Sequence, residues 1–248
     1  MKILALTLFA LLILLSLGAL LLLVSAVVSK VRKAKSGRRN ASGISKGGTG
    51  TVIPFNTLAE YHGGLKKSSN EELRRLFEKG LSFKRKRKFP EAIGIFERCL
   101  EATLTPDQKS GIMITTGNCY FSLDKLDLAK SYYEMADGFS RESDNSTGRL
   151  SCLVNLGLAC AADHNWDDAI RNYDEAIDLD KKLGYTAGEA IDLNTLALLY
   201  ENKGDFEKAL THYTASLQIF ERLNDGKKAK LVGDNIRRVR TLSAESGA

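Results

Sequence analysis

The sequence predicts an all-α fold, in which four stacked helix pairs form a solenoid, a further helix caps it, and one membrane-spanning helix precedes it. Three observations predict this arrangement. A five-residue spacing recurs four times between residues 80 and 216, an uncharged apolar run fills residues 3–28, and an amphipathic basic segment follows the last repeat at residues 227–242.

The spacing defines each helix pair by a small residue on the first helix and an alanine–aromatic pair on the second. Its steps are +3, +9, +4 and +3 in all four copies: Gly80, Phe83, Ala92, Phe96, Cys99; Gly117, Tyr120, Ala129, Tyr133, Ala136; Gly157, Cys160, Ala169, Tyr173, Ala176; Ala197, Tyr200, Ala209, Tyr213, Ser216. The central alanines lie 37, 40 and 40 residues apart. Small residues let two helices approach closely, and the aromatic ring fills the space beside them. One pair cannot bury its apolar face alone, so the copies must stack.

We place the repeat domain at residues 70–226, with single repeats at about 73–106, 110–146, 150–183 and 190–223. Residues that favour helix starts lie in the turn within each pair: Pro90, Asp127, Asp167 and Asp205.

This pattern resembles the tetratricopeptide repeat family, and residues 198–209 are close to its consensus. The resemblance covers roughly residues 70–242. The usual period is about 34 residues, so the longer periods make the chain similar to the long-repeat branch that includes kinesin light chain. The resemblance implies a right-handed superhelical solenoid whose first helices line a concave groove.

By this resemblance, the groove would expose apolar side chains with asparagines among them: Phe77, Leu81, Ile114, Asn118, Phe121, Val154, Asn155, Leu158, Asn194, Leu198 and Glu201. A peptide or helix of a protein partner would pack on the apolar residues while the asparagines bind its backbone. Two alternatives stay open, because these residues can pack against neighbouring helices or a segment of the same chain can fill the groove. Family members that clamp acidic C-termini use basic residues where this chain has Phe77, Ile114 and Ile191, so we expect no such clamp.

The segment after the fourth repeat predicts a capping helix at residues 227–242, followed by a disordered tail at 243–248. Val232, Ile236 and Val239 recur at helical steps, and basic residues fill the other face. A basic docking surface is the alternative interpretation of that face.

The N-terminal segment, residues 1–29, predicts a membrane-spanning signal-anchor. Its uncharged stretch is 26 residues long, against the roughly 20 that cross a bilayer core. The basic residues just after it place the repeats in the cytoplasm and suit anionic lipid headgroups: Lys30, Arg32, Lys33, Lys35, Arg38 and Arg39. A cleaved signal peptide, cut after Ala26, is the rival interpretation.

Residues 30–69 predict a basic, Gly/Ser-rich juxtamembrane linker. The first 72 residues carry ten lysines and arginines against three glutamates, so the net charge of +6 arises near the predicted membrane segment. The repeats have no overall positive charge, which argues against nucleic-acid binding.

No catalytic motif is present in the sequence. The four cysteines lack C-x-x-C spacing, the three histidines form no metal pattern, and no phosphate-binding glycine loop occurs. We therefore expect no enzyme activity, cofactor or small-molecule substrate. The sequence favours a single-pass membrane scaffold or adaptor that binds a protein partner; the alternatives are an exported or periplasmic repeat protein and a non-catalytic subunit of an enzyme complex.

Overall fold

A computed structural model describes residues 58–246, and within this range the chain forms nine α-helices and one short 3-10 helix at Leu65–Lys67. The helices are α1 (Glu71–Arg85), α2 (Phe89–Leu100), α3 (Pro106–Ser122), α4 (Leu126–Glu142), α5 (Ser146–Ala162), α6 (Trp166–Leu183), α7 (Thr186–Lys203), α8 (Phe206–Arg222) and α9 (Gly226–Ser246). The predicted membrane span lies outside the described residues. Within residues 58–246, no helix combines the length and apolarity needed to cross a bilayer.

The helices stack in chain order as pairs. Each helix packs against the next, and α3 also contacts α5, so the first helices of the second and third pairs are neighbours. Tight turns join consecutive helices. Five non-glycine residues in them adopt positive φ values: Arg87, Asp124, Asp144, His164 and Asn224. Such a left-handed residue ends one helix and reverses the chain within a few residues.

The predicted contact between small and aromatic residues is confirmed within the first three pairs. A Cβ added to Gly80 would lie 2.5 Å from the Phe96 ring, one on Gly117 2.5 Å from the Tyr133 ring, and one on Gly157 2.7 Å from the Tyr173 ring. All three rings are fully buried. The glycines are therefore required because the ring of the second helix lies directly against the backbone of the first.

Replacing Gly117 with alanine is expected to lower the free energy of unfolding by about 1–2 kcal/mol, because its methyl group would overlap the buried Tyr133 ring. Gly138 provides a matched control on α4, since nothing lies within 4 Å of a Cβ built there. Gly138→Ala is expected to stabilise the protein by up to about 1 kcal/mol through helix propensity alone. Urea denaturation of both variants measures the difference. Equal effects would show that the ring does not restrict the first helix.

The last helix closes the stack. Val232, Ile236 and Val239 of α9 are buried and belong to the cluster that contains Tyr213 and Phe220. The helix ends at Ser246, so the expectation of a disordered tail is wrong for residues 243–246. Ala244 and Glu245 favour helix and no proline interrupts them, which explains the extension.

The described end of the predicted linker also differs from expectation. Leu58, Tyr61 and Leu65 pack against the repeats. Leu65 is fully buried in the cluster that contains Phe77 and Phe96. Leu65 is anchored by the 3-10 turn, in which its backbone N–H donates to the carbonyl of His62 at 2.9 Å.

Candidate functional site

Two asparagines on neighbouring first helices form the centre of the candidate site. Asn118 of α3 and Asn155 of α5 are both fully buried. The Asn155 Nδ2 donates to Asn118 Oδ1 at 3.0 Å, and the Tyr133 hydroxyl donates to the same oxygen at 2.9 Å. Asn118 Oδ1 accepts both of these bonds. The Asn118 amide is therefore oriented so that its Nδ2 points toward a different acceptor.

That acceptor is the backbone of a segment of the same chain, which we call the strap and define as residues 58–63. The Ala59 carbonyl accepts from Asn118 Nδ2 at 3.1 Å and from Asn155 Nδ2 at 3.0 Å. The Ala59 N–H donates to Asn155 Oδ1 at 2.7 Å. Asn155 therefore binds both polar groups of one peptide residue, which is how a side-chain amide holds an extended chain of any sequence.

Side chains of the strap contact separate parts of the repeat domain. Glu60 forms an ion pair with Lys84 of α1. The Tyr61 hydroxyl donates to Asp107 Oδ1 at 2.5 Å, and it also accepts from Asn145 Nδ2. Burial and the bond to Asp107 raise the Tyr61 pKa above its usual value. Tyr61 is thus a protonated donor at neutral pH.

The strap ends on the surface of α1 and α3. The His62 ring packs edge-on against Phe77, with ring centroids 5.6 Å apart. Burial, aided by the nearby Lys66, lowers the pKa of His62, which favours the neutral imidazole in this apolar contact. Gly111 has no room for a Cβ because the backbone of His62 and Gly63 lies directly upon it. Gly63 and Gly64 adopt φ values of 53° and 69°, and this glycine turn connects the strap to Leu65.

A second polar cluster lies at the last repeat, between α7 and the capping helix. The Arg238 guanidinium donates to both carboxylate oxygens of Glu201, through Nε at 3.0 Å and Nη2 at 2.8 Å. The Tyr213 hydroxyl donates to Glu201 at 2.9 Å, and Asn235 Nδ2 donates to Asn194 Oδ1 at 3.2 Å. The capping helix therefore occupies the groove surface of the fourth repeat.

The predicted groove residues are consequently covered. Eight of them are buried: Phe77, Leu81, Ile114, Asn118, Asn155, Leu158, Asn194 and Leu198. The other three are half-buried: Phe121, Val154 and Glu201. The expectation that these residues are exposed is wrong. The strap covers Asn118 and Asn155. The capping helix α9 contacts Asn194 and Glu201, so segments of the same chain fill part of the groove. Ile114 packs with side chains of the neighbouring helices as well as with the strap, so both alternatives describe part of the arrangement.

Sequence reasoning missed most of the residues that hold the strap. Asp107 and Tyr61 lie 46 positions apart in sequence, and Asn145 contacts Tyr61 from 84 positions away. Asp107 and Asn145 lie at the N-terminal ends of α3 and α5, where polar residues are expected as helix starters. Because a role at a helix start already accounts for these residues, nothing in the sequence indicated that they also bind Tyr61.

The described residues offer little nucleophilic chemistry. Burial raises the pKa of the Cys99, Cys119 and Cys160 thiols to about 11 and that of Cys152 to about 12, so all four are protonated at neutral pH. Within residues 58–246, no group of three or more histidine, cysteine or acidic side chains is arranged to hold a metal ion.

The stacked pairs and their covered concave face define an α-helical repeat protein with a peptide-like segment in its groove. Comparison with known proteins is more specific, because residues 148–222 match the tetratricopeptide repeat family. Residues 148–222 therefore contain tetratricopeptide repeats.

Curated relatives match about half of the chain at low identity. A stretch of 129 residues, 52% of this chain, is 26% identical to the outer dynein arm-docking complex subunit 4 of Mus musculus and covers 20% of it. The corresponding Bos taurus protein is 27% identical over 129 residues and is covered to 19%. The chain thus spans about a fifth of the length of these relatives.

Solved structures share the fold. The apo form of RapI superposes with a TM-score of 0.63, covering 70% of this chain and 65% of that chain at 14% identity. A putative kinesin light chain from Podosopora anserina, with nearly identical TPR-like repeats, gives a TM-score of 0.52, covering 69% of this chain and 96% of that chain at 12% identity. At these identities the likeness shows the fold alone.

Proposed function

We propose that this protein is a single-pass, membrane-anchored scaffold whose tetratricopeptide repeats recruit a protein partner through the concave groove. The observation that carries the proposal is the pair of buried amides, Asn118 and Asn155, which already bind the backbone N–H and carbonyl of Ala59. Because the bonds reach only main-chain atoms, the same geometry holds a partner's peptide.

The anchor rests on the 26 uncharged residues at 3–28 and the basic residues that follow them. This charge bias supports a cytoplasmic repeat domain and contact between the linker and anionic headgroups. An assembly role is consistent with the curated relative, whose name describes a docking-complex subunit. We propose that the chain acts by binding and has no catalytic activity, cofactor or nucleic-acid partner.

The proposal is tested on the full chain in sealed membrane vesicles, with the mature N-terminus sequenced from the same sample. An intact Met1 and repeats that are cut only by protease on the cytoplasmic side are the expected results. A mature chain that starts at Val27 and is protected from that side would overturn the anchor and the topology.

Partner recruitment is tested by comparing the proteins that co-purify with the wild type, with Asn118→Ala/Asn155→Ala, and with Gly138→Ala. The double substitution removes the amides, whereas Gly138 faces open space. We expect a defined partner that is lost with the amides and kept in the control. The same partners in all three samples would place recruitment outside the groove and contradict the proposal.

A further inference from the structure

We infer that the strap is a built-in ligand of the groove, and that the partner is an extended peptide with the same chemistry: a leucine, a residue with a free backbone N–H, an acidic residue and a tyrosine. This inference rests on the proposed function and adds to it the partner class and its regulation. The strap shows what the groove accepts, because it is a segment without helix or strand structure that is held by main-chain bonds at Ala59 and by side-chain contacts at separate sites.

Three subsites on the repeat domain bind side chains of the strap. Leu58 packs against the apolar cluster that includes Leu158, with Phe121 and Val154 at its edge. Lys84, whose side chain is only 17% exposed, pairs with Glu60. Asp107 and Asn145 bind the two functions of the Tyr61 hydroxyl, as acceptor and donor. A phenylalanine would leave both partners without this bond, so the site selects tyrosine.

The residue between the first two subsites must not be proline. Ala59 donates its N–H to Asn155 at 2.7 Å and accepts with its carbonyl from both asparagines. A proline there removes the donor while keeping the acceptor. A proline at this position should therefore weaken a peptide that binds through backbone hydrogen bonds. It should not weaken a peptide that binds through apolar contacts alone.

Because the strap is covalently part of the same chain, it competes with any partner for the groove. Gly63 and Gly64 join it directly to the buried Leu65, so it cannot move far from the groove. A short tether gives an effective concentration on the order of millimolar. If the same segment binds as a free peptide with a Kd of about 100 µM, the tethered copy weakens a partner about tenfold. Release of the strap is therefore the step that opens the groove.

The experiment measures binding of a fluorescein-labelled peptide of residues 56–64 to the full-length protein by fluorescence anisotropy. Ala59→Pro releases the strap, and Ala59→Ser is the matched control that keeps the N–H. We expect about tenfold tighter binding to Ala59→Pro than to the wild type or Ala59→Ser. Adding Asn118→Ala/Asn155→Ala to Ala59→Pro is expected to abolish binding. Circular dichroism checks that each variant keeps its helices, since Ala59 lies outside all of them.

Peptide variants test the subsites on the Ala59→Pro protein. Proline at the Ala59 position, or phenylalanine at the Tyr61 position, is expected to weaken binding of the peptide at least about tenfold.

Equal affinity of the peptide for all the protein variants, or binding that survives loss of both asparagines, would overturn the inference. So would a concentration-dependent dimer of the wild type that Ala59→Pro abolishes in sedimentation, because the strap would then lie in a second copy. If the peptide fails but a partner is still lost with Asn118 and Asn155, only this inference falls and the proposed function stands.

Discussion

Asn155→Ala is expected to lower the free energy of unfolding by about 2–3 kcal/mol and to release the strap. The substitution removes three hydrogen bonds at once: two to Ala59 and one to the Oδ1 of Asn118. It also leaves the fully buried Asn118 in a network that has lost a donor. Buried polar groups without partners cost more than the net value of the bonds they lose.

Urea denaturation measures the stability change, and hydrogen exchange at the Ala59 amide reports on the strap itself. Asn202→Ala is the matched control, because its exposed side chain makes one bond, to the Leu198 carbonyl at 2.8 Å. We expect the control to cost less than about 1 kcal/mol and to leave the Ala59 amide protected. An Asn155→Ala protein whose Ala59 amide exchanges as slowly as in the wild type would show that the amides do not hold the strap.

The repeats were predictable because they rest on contacts between neighbouring elements. Gly117 and Tyr133 lie 16 positions apart, and the same separation joins Gly80 to Phe96 and Gly157 to Tyr173. A fixed separation of this kind leaves a periodic signal in the sequence. The requirement for glycine is local, since the ring occupies the place of a Cβ.

Asn118 and Asn155 were predictable as backbone-binding residues, but the identity of their ligand was not. Asn194, for which the same role was predicted, instead accepts from the side chain of Asn235. Ala59 lies 96 positions from Asn155, and the bonds between them involve only main-chain atoms of Ala59. Main-chain contacts place no demand on residue type beyond excluding proline, so no sequence pattern marks Ala59 as the ligand of these asparagines.

Burial of the predicted groove residues involves both the strap and the repeats. Phe77 packs against His62 of the strap and against Phe96 of the second helix. Ile114 packs with Ala136 and Cys152 of neighbouring helices, and Tyr61 of the strap packs against this cluster.

The role of Lys84 could not be predicted from the sequence either. In the sequence it begins a run of five basic residues, which is typical of a solvated helix end. In the fold its side chain is mostly covered and pairs with Glu60, while Lys86 and Lys88 of the same run remain exposed. A charged residue acquires a specific role only when tertiary structure brings an opposite charge near it.

Arg238→Ala is expected to lower the free energy of unfolding by about 1–3 kcal/mol and to loosen the capping helix from the fourth repeat. Arg238 binds both oxygens of Glu201, whose side chain is only 10% exposed. Removing the guanidinium leaves a mostly buried carboxylate with Tyr213 as a remaining donor. The Arg238 side chain is 36% exposed, so solvent screens part of this cost. The remaining cost arises because the Glu201 carboxylate stays without a compensating charge in a mostly covered site.

The neighbouring residue supplies the matched control. Arg237 is 70% exposed and pairs only across one helical turn with Asp234, so Arg237→Ala is expected to cost less than about 0.5 kcal/mol. Hydrogen exchange should accelerate at the amides of α9 in Arg238→Ala alone. Adding Glu201→Gln to Arg238→Ala removes the uncompensated charge and is expected to recover part of the lost stability. If both arginine variants unfold at the same denaturant concentration, packing of Val232, Ile236 and Val239 alone holds the cap, and the ion pair serves only to align the helix with the groove.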